Sequence, residues 1–484
     1  MKKILILPLT FILSALFLKI QAQDIRLHPD NPNYFIYQNK PTVLVASSEH
    51  YGSVINPDFD FSKYLSTVQG IGLNHTRIWL GDYVEVIGDF QMTQNTSAPQ
   101  PGKFLTPWMR SAVPGYAAGG NKFDLDKWDP AYFKRLHTFM QEASDKGIVV
   151  ECMIFFLGPN WHLLPMNPKN NINNTKDIPR EDYLSLQNGN ILTYQKKYCQ
   201  KLVQELNKYD NVIFNIANEP WFSNQEHPGF ASPARDQTKL WITAVSDWIV
   251  KTEATLPKKH LISVDYTNEG RKISKAEQAK YWQNISVFNH HYDKDALSVK
   301  LNYGINKAIA FNETGLMPGS TPQYRIQGWK YLLSGGALYN NLDCSFEVGY
   351  EDGTANVVFD GTLISGCNDP KVKYELKALL VFMNSIDFVH MRPNYDVIAC
   401  AFGDKDISVL ENPGKEYAIY VNKGNNLGIF QLNIAPGTYT VTYINPSDGK
   451  VMRTETATSK DLGDVLLYMP DYKEDIAIVL RVNK

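Results

Sequence analysis

The chain has little cysteine. It carries 5 in 484 residues, Cys152, Cys199, Cys344, Cys367 and Cys400. An odd number without a Cys-x-x-Cys spacing argues against a disulfide scaffold and against a cysteine-built zinc site. Cys344 and Cys367 remain placed to bridge one long loop. Charge of one sign is also lacking: 48 Lys and Arg face 50 Asp and Glu, a balance of −2. No block of like charge is long enough to serve as a nucleic-acid arm, so no nucleic-acid partner is expected. A membrane-spanning run is missing too, because the apolar stretch over residues 4–18 falls short of the roughly 20 residues a spanning helix needs. With Lys2-Lys3 before it and Ile20-Gln21-Ala22 after it, that stretch reads as a secretory signal over residues 1–22. Losing Lys2, Lys3 and Lys19 leaves 45 cationic against 50 acidic side chains, or −5. No Cys follows Ala22, so lipid attachment is not expected. The expected location is outside the cytoplasm, secreted or in the periplasm of a bacterial envelope. The composition does not specify an oligomeric state.

Aromatic residues, by contrast, are plentiful at 12% (9 Trp, 27 Tyr, 23 Phe). Rings of this kind form platforms for sugars, whose faces are apolar and whose rims are polar. Apolar, β-rich runs recur at residues 43–46, 74–80, 148–156, 212–217, 261–264, 287–289, 308–311 and 337–342. Segments of helical period lie between them, at 129–146, 191–208, 238–255, 275–282 and 323–333, with a last one at 370–386. Eight strands, each followed by a helix, predict a closed (β/α)8 TIM barrel of α/β class. Residues 24–41 read as a hairpin covering the barrel floor. From about residue 389 the pattern changes to short alternating runs with turn signals between them, at 417–421, 428–434, 438–443 and 476–482. This predicts a small antiparallel β-sandwich domain. The expected division is therefore 1–22 signal peptide, 23–388 barrel with its N-terminal hairpin, and 389–484 sandwich. The sandwich has no Trp, since none follows Trp329, and it reads as a structural prop more than a glycan-binding module.

Two connections, 81–127 and 157–185, are too long to be passive linkers. In a barrel they would rise from the C-terminal face, where active sites are built. They carry Trp108, Trp161 and His162.

The chemistry concentrates at two strand ends. Asn218-Glu219-Pro220-Trp221 closes one apolar run, and Asn312-Glu313 closes another 94 residues later. A carboxyl at the mouth of a buried strand is costly to keep unless it has work to do. Two carboxyls facing one cleft are the minimum equipment for hydrolysing a glycosidic bond, one to protonate the leaving oxygen and one to attack or to activate water. Strands four and seven lean in from nearly opposite sides of a barrel mouth, and this favours the short spacing of the retaining route. Arg77, ending strand two, and His290-His291-Tyr292, after strand six, complete a pattern that resembles clan A of the retaining glycoside hydrolases. It is most similar to the family 5, cellulase-like group, and the resemblance spans roughly residues 40–386.

The resemblance implies Glu219 as acid/base and Glu313 as nucleophile. It implies Asn218 on the sugar 2-hydroxyl, Arg77 beneath the nucleophile, Tyr292 donating to it, and His290 as the histidine two residues before that tyrosine. Only one of the neighbours His290 and His291 can face the cleft on an extended chain. His50, in Glu49-His50-Tyr51-Gly52 after strand one, is a candidate wall residue, and Trp221 and Trp161 are candidate platforms. In one respect the chain departs from the group. Where family 5 commonly ends strand eight in a Trp, this sequence offers Tyr339, Asn341 or Asp343, so one of these or a Trp from another loop must cover the subsite. The implied partner is a carbohydrate substrate, and neither a metal nor a cofactor is expected. The alternatives are an inactive barrel that only binds carbohydrate, and a metal-dependent barrel enzyme, which would need His and Asp ligands gathered on several strand ends.

Overall fold

Apolar runs of five to eight residues with no polar face suit strands covered on both sides, which is what parallel sheets require. In the computed structural model the described residues are 24–92, 94–223, 234–293, 295–314, 321–355, 369–401, 405–423, 428–461 and 465–483. The expected signal peptide and Cys367 lie outside them. Eight strands form one sheet: β1 (Leu44–Ser48), β2 (His75–Trp79), β3 (Val149–Phe156), β4 (Val212–Asn218), β5 (Leu261–Asn268), β6 (Val287–His291), β7 (Ala308–Glu313) and β8 (Leu338–Leu342). They follow one another in chain order, and each ladder from β2 round to β8 and on to β1 is parallel. Between β2 and β1 the ring is stitched by a side chain. The Asn74 amide donates to the Val43 carbonyl at 2.9 Å and accepts from the Val45 N–H at 2.9 Å, as a strand backbone would.

Eight helices pack outside: α1 (Phe61–Ile71), α2 (Pro130–Asp145), α3 (Ile191–Leu206), α4 (Asp236–Glu253), α5 (Lys275–Tyr281), α6 (Leu297–Asn302), α7 (Thr321–Leu333) and α8 (Val372–Asn384). Their ends follow local chemistry. Helix α2 has Pro at its first turn and an Asp129 carboxylate accepting the Ala131 N–H, and α5 is capped by Ser274, which accepts from the Glu277 N–H. The (β/α)8 barrel expected from the sequence is thus found.

The N-terminal segment forms a small antiparallel sheet of Arg26–Leu27, Phe35–Tyr37 and Lys40–Thr42. Its Phe35 and Tyr37, with Ile25, pack against Leu44, Val149, Ile213 and Val287 at the strand beginnings, so this segment closes the floor of the barrel. After α8 come a six-stranded and a three-stranded antiparallel sheet with a core of their own between them. The larger sheet is cemented to the barrel. Trp329 of α7 stacks on Tyr420 at 5.6 Å, and buried Arg325 pairs with Asp475 at 2.9 Å, Glu375 at 2.9 Å and Glu474 at 2.7 Å.

Both long connections are built as walls. The first contains a hairpin, Trp108–Pro114 with Asn121–Trp128. The second is tied to it through Phe123, whose N–H donates to the Asn170 carbonyl at 2.8 Å and whose carbonyl accepts from the Ile172 N–H at 3.0 Å, and through the Leu125 N–H donating to the Asn173 side chain at 2.7 Å.

Candidate active site

Alternation along the strands decides what enters the barrel. On β4, Ile213 and Asn215 point inward while Val212, Phe214 and Ile216 pack under the helices; on β6 the inward set is Val287, Asn289 and His291. Above the apolar floor the interior is polar. Glu151 of β3 accepts from Ser263 at 2.7 Å and from the amides of Asn215, Asn289 and Asn312 at 3.1, 2.6 and 3.1 Å. Asp265 of β5 accepts from Asn215 at 2.7 Å and Asn289 at 3.0 Å.

Arg77 stands in the middle, fully buried. One end of its guanidinium donates to Glu313 Oε2 at 3.0 Å and Tyr51 Oη at 3.0 Å, and the other to Asn218 Oδ1 at 3.0 Å; Glu151 and Asp265 lie 3.3 and 3.5 Å away. Burial alone would pull its pKa down, but Tyr51 and the three acids around it raise it above the ordinary value. A fixed cation with a fork of donors therefore sits beneath Glu313.

Glu219 and Glu313 converge. One carboxylate oxygen of each and a ring nitrogen of His291 all lie within 4.8 Å of one another. The Tyr292 hydroxyl donates to Glu313 Oε1 at 3.2 Å and stands 3.5 Å from Glu219 Oε1. Both Glu219 and Tyr292 have left-handed backbone, with φ of 44° and 55°. Strain of that kind in non-glycine residues persists where the surroundings enforce it. The surroundings also set the protonation of Glu219. Burial raises its pKa, the His291 hydrogen bond lowers it, and the charge of Glu313 raises it, with the balance at about 7.

His291 bridges the acids, with Nδ1 3.0 Å from Glu219 Oε1 and Nε2 3.2 Å from Asp265 Oδ2. Burial disfavours its charge, yet Glu313 and Asp265 push its pKa up to about 10. Glu219, His291 and Glu313 are close enough to hold a metal ion. However, both His291 nitrogens are engaged by carboxylates, so the ring offers protons there where a metal needs a lone pair.

The structure brings Glu219, Glu313, Asn218, Arg77 and Tyr292 together, with His50 on the wall of the same hollow. It separates the others. His290 faces outward, its Nδ1 3.1 Å from the Glu269 carbonyl and its ring against Tyr266, because it falls on the helix-side phase of β6. His291 occupies the inward position. Trp221 is buried behind His291, edge-on at 5.2 Å, and so supports the imidazole instead of offering a platform. Trp161 packs on Tyr183 at 5.0 Å, outside the hollow. The expected cover from β8 also differs: Tyr339 donates to the Tyr324 carbonyl under α7, Asn341 to Ser47, and Asp343 accepts from Ser345, so Leu342 is the β8 residue at the hollow. Its aromatic walls include Tyr51, Trp79, Phe90, Phe156 and Tyr292, with Trp79 stacked on Phe156 at 5.1 Å and 4°. The hollow is narrow, about 80 Å³.

Comparison with known proteins now has geometry to meet. The sequence profile of Cellulase (glycosyl hydrolase family 5) matches residues 66–315, more than half of the chain. The chain belongs to glycosyl hydrolase family 5. The family 5 match covers β2 to β7, the strands that carry Arg77, Glu219, His291 and Glu313. No curated protein matches the sequence. Solved structures agree in fold at low identity. A family 5 glycoside hydrolase from Bacteroides vulgatus aligns with a TM-score of 0.60 and 13% identity over 95% of this chain and 93% of its own. A candidate glycoside hydrolase from the same organism gives 0.64 and 14% over 96% and 83%. A third, titled only a glycoside hydrolase, gives 0.61 and 12% over 95% and 97%. These likenesses extend beyond the barrel, so the family 5 barrel and the C-terminal sandwich recur as one architecture.

Proposed function

We propose that this glycoside hydrolase is a secreted retaining β-glycosidase acting on an oligo- or polysaccharide by double displacement, with Glu313 as nucleophile and Glu219 as acid/base. The observation that carries the reading is the approach of the two carboxyls to within 4.8 Å, the short spacing that leaves no room for a water between carboxylate and anomeric carbon. Their unlike surroundings support separate roles. Arg77 and Tyr292 hold Glu313 from below and beside, so its oxygen can attack the anomeric carbon. Glu219, with a pKa near 7, carries a proton through much of the neutral range and gives it to the departing glycosidic oxygen as that bond breaks.

The intermediate is a glycosyl ester on Glu313. Its formation removes the Glu313 charge, one of the three influences that raise the Glu219 pKa; burial, the largest, and the Asp265 charge stay. Glu219, left ionised by the first step and held so by its lowered pKa, takes a proton from the incoming water, whose oxygen attacks the same carbon and frees Glu313. Asn218, fixed by Arg77, is placed for the sugar 2-hydroxyl, where contacts tighten as oxocarbenium character grows. Secretion rests on the pattern of residues 1–22, and N-terminal sequencing of exported protein tests it.

A 2-deoxy-2-fluoro β-glycoside with a good leaving group tests the roles: peptide mass spectrometry should find the sugar on Glu313, and Glu313→Gln should lower kcat on the order of 10⁴-fold. A label on another residue, or near-normal turnover by Glu313→Gln, overturns the assignment. A barrel that only binds sugar would have no turnover to lose.

A further inference from the structure

We propose that Glu85 and His50 close the far end of a pocket for one sugar ring, so that the enzyme removes single neutral monosaccharides from non-reducing ends. This rests on Glu219 and Glu313 as the reacting pair. Glu85 belongs neither to that pair nor to the network around Arg77, yet it faces the same hollow with its side chain only 2% exposed. It is held there by design of the loop after β2. Its N–H donates to the Ser97 carbonyl at 2.9 Å, and the neighbouring Val86 N–H donates to Asp89, which also takes the Asn160 amide at 2.7 Å. A carboxylate kept dry in this way needs partners.

The hydrogen bonds to Glu85 from His50 Nε2 at 3.0 Å and from the Asn95 amide both fall on Oε2, and the buried Tyr83 side chain also faces this carboxylate. Oε1 keeps its capacity to accept. The other ring nitrogen of His50, Nδ1, is buried without a partner among the described residues. An acceptor and a ring nitrogen beside each other, on the wall of a hollow that ends at the reacting carboxyls, match two adjacent sugar hydroxyls distal to the anomeric carbon.

The same side chains end the binding site. Of those around the hollow, only Phe90, 48% exposed at the mouth, and Tyr292 are not buried. Among the described residues Phe90 is the one strongly exposed ring at the mouth, and His50 stands against it at 5.6 Å, so the wall continues from the hollow to that ring. The charge is selective as well. Glu85, Glu219 and Glu313 all face the hollow, and among the described residues no Lys or Arg lines it, which disfavours uronic or sulfated rings.

Oligosaccharides tagged at the reducing end test the pocket on the wild-type enzyme. The expected products are free monosaccharide and tagged chains shorter by one unit per step, and early mid-chain fragments would overturn the proposal. Aryl β-glycosides lacking the 3-, 4- or 6-hydroxyl test the contact. One deoxy analogue should lose at least ~100-fold in kcat/KM, because a site built to bond a hydroxyl rejects the analogue without it. In Glu85→Gln the parent should lose a similar factor while the penalty for that analogue shrinks below ~3-fold. A uniform loss on every analogue would mean that Glu85 only supports the loop, and equal turnover of the matching uronide would overturn the charge argument. Labelling of Glu313 together with mid-chain cleavage would remove this pocket alone; no labelling and no turnover would remove the acid pair, and the pocket with it.

Discussion

The floor and the mouth of the barrel are built on the same strands two residues apart, and they obey different rules. On β4, Ile213 packs with Val149, Leu261 and Val287 against Phe35 of the N-terminal sheet. One step up, Asn215 joins Asn289, Asn312 and Ser263 around Glu151 and Asp265. Burial at the floor is non-directional, so it stabilises in proportion to area and tolerates reshuffling. The upper layer is directional. Its three amides turn their NH₂ groups to the acids and leave the Oδ1 atoms of Asn215, Asn289 and Asn312 without partners, an arrangement that costs stability. The strands thus hold the fold together at one end, and at the other they spend part of that stability on a charge array aimed at Glu219 and Glu313.

The largest expected effect breaks the array at its centre. Arg77→Met leaves Glu151 without its closest cation and Asp265 and Glu313 with His291 alone opposite them, and breaking a buried pair in this way costs about 3–5 kcal/mol. Urea unfolding should show that loss, and turnover should fall with it because Glu313 loses its donor. A variant as stable as wild type would mean that the acids are not charged together. At the floor, Ile213→Ala should cost about 3 kcal/mol through the cavity it leaves. Its kcat/KM and pH profile, measured well below the melting temperature, should stay within ~3-fold of wild type. A shifted pH profile would show that floor and mouth are one unit.

The sequence makes the floor easier to read than the mouth. Parallel strands buried on both faces appear as apolar runs, and all eight are visible, as are Glu219 and Glu313, because each ends such a run. Glu151 escapes notice because it sits inside its run, and Asp265 because it directly follows a run read as ending at residue 264, although counting by two from Val149 or from Leu261 and Ser263 reaches both. The same count, 287, 289, 291, reaches His291; matching the family spacing back from Tyr292 reaches His290, which faces the helices. Trp161 and Trp221 are natural platform candidates by residue type, but type does not give direction, and the rings at the hollow are instead Tyr51, Trp79, Phe90, Phe156 and Tyr292. Glu85 has no periodic signal at all. Its loop is irregular, and its partners His50 and Asn95 lie 35 residues before and 10 after it.

A smaller effect sharpens the comparison at Glu219. Its folded pKa is about 7 against an ordinary 4.5. Below 4.5 both states hold the proton and nothing is lost. As pH rises toward 7 the unfolded chain releases its proton first, so stability falls through that window, and above 7 the cost reaches about 3 kcal/mol. Glu219→Gln keeps the shape without the charge. It should be more stable than wild type by about 1–3 kcal/mol at pH 8 and nearly equal at pH 5, read from denaturant midpoints at both values. An equal gain at both would trace it to packing.

The finest test concerns His291. With a pKa pushed up to about 10, it is a cation throughout the neutral range, and its N–H holds the Glu219 carboxyl lower than burial and Glu313 would leave it. In wild type, kcat/KM should fall above about pH 7 as Glu219 loses the proton it must donate. His291→Gln removes the positive charge, so Glu219 should keep its proton to higher pH. The alkaline limb should then move up by roughly one pH unit, equal to about 1.4 kcal/mol. Floor residues have no comparable lever, since none of them carries charge near the carboxyls. A limb that stays in place in His291→Gln, or moves down, would assign it to a group other than Glu219 and leave His291 as packing for Trp221.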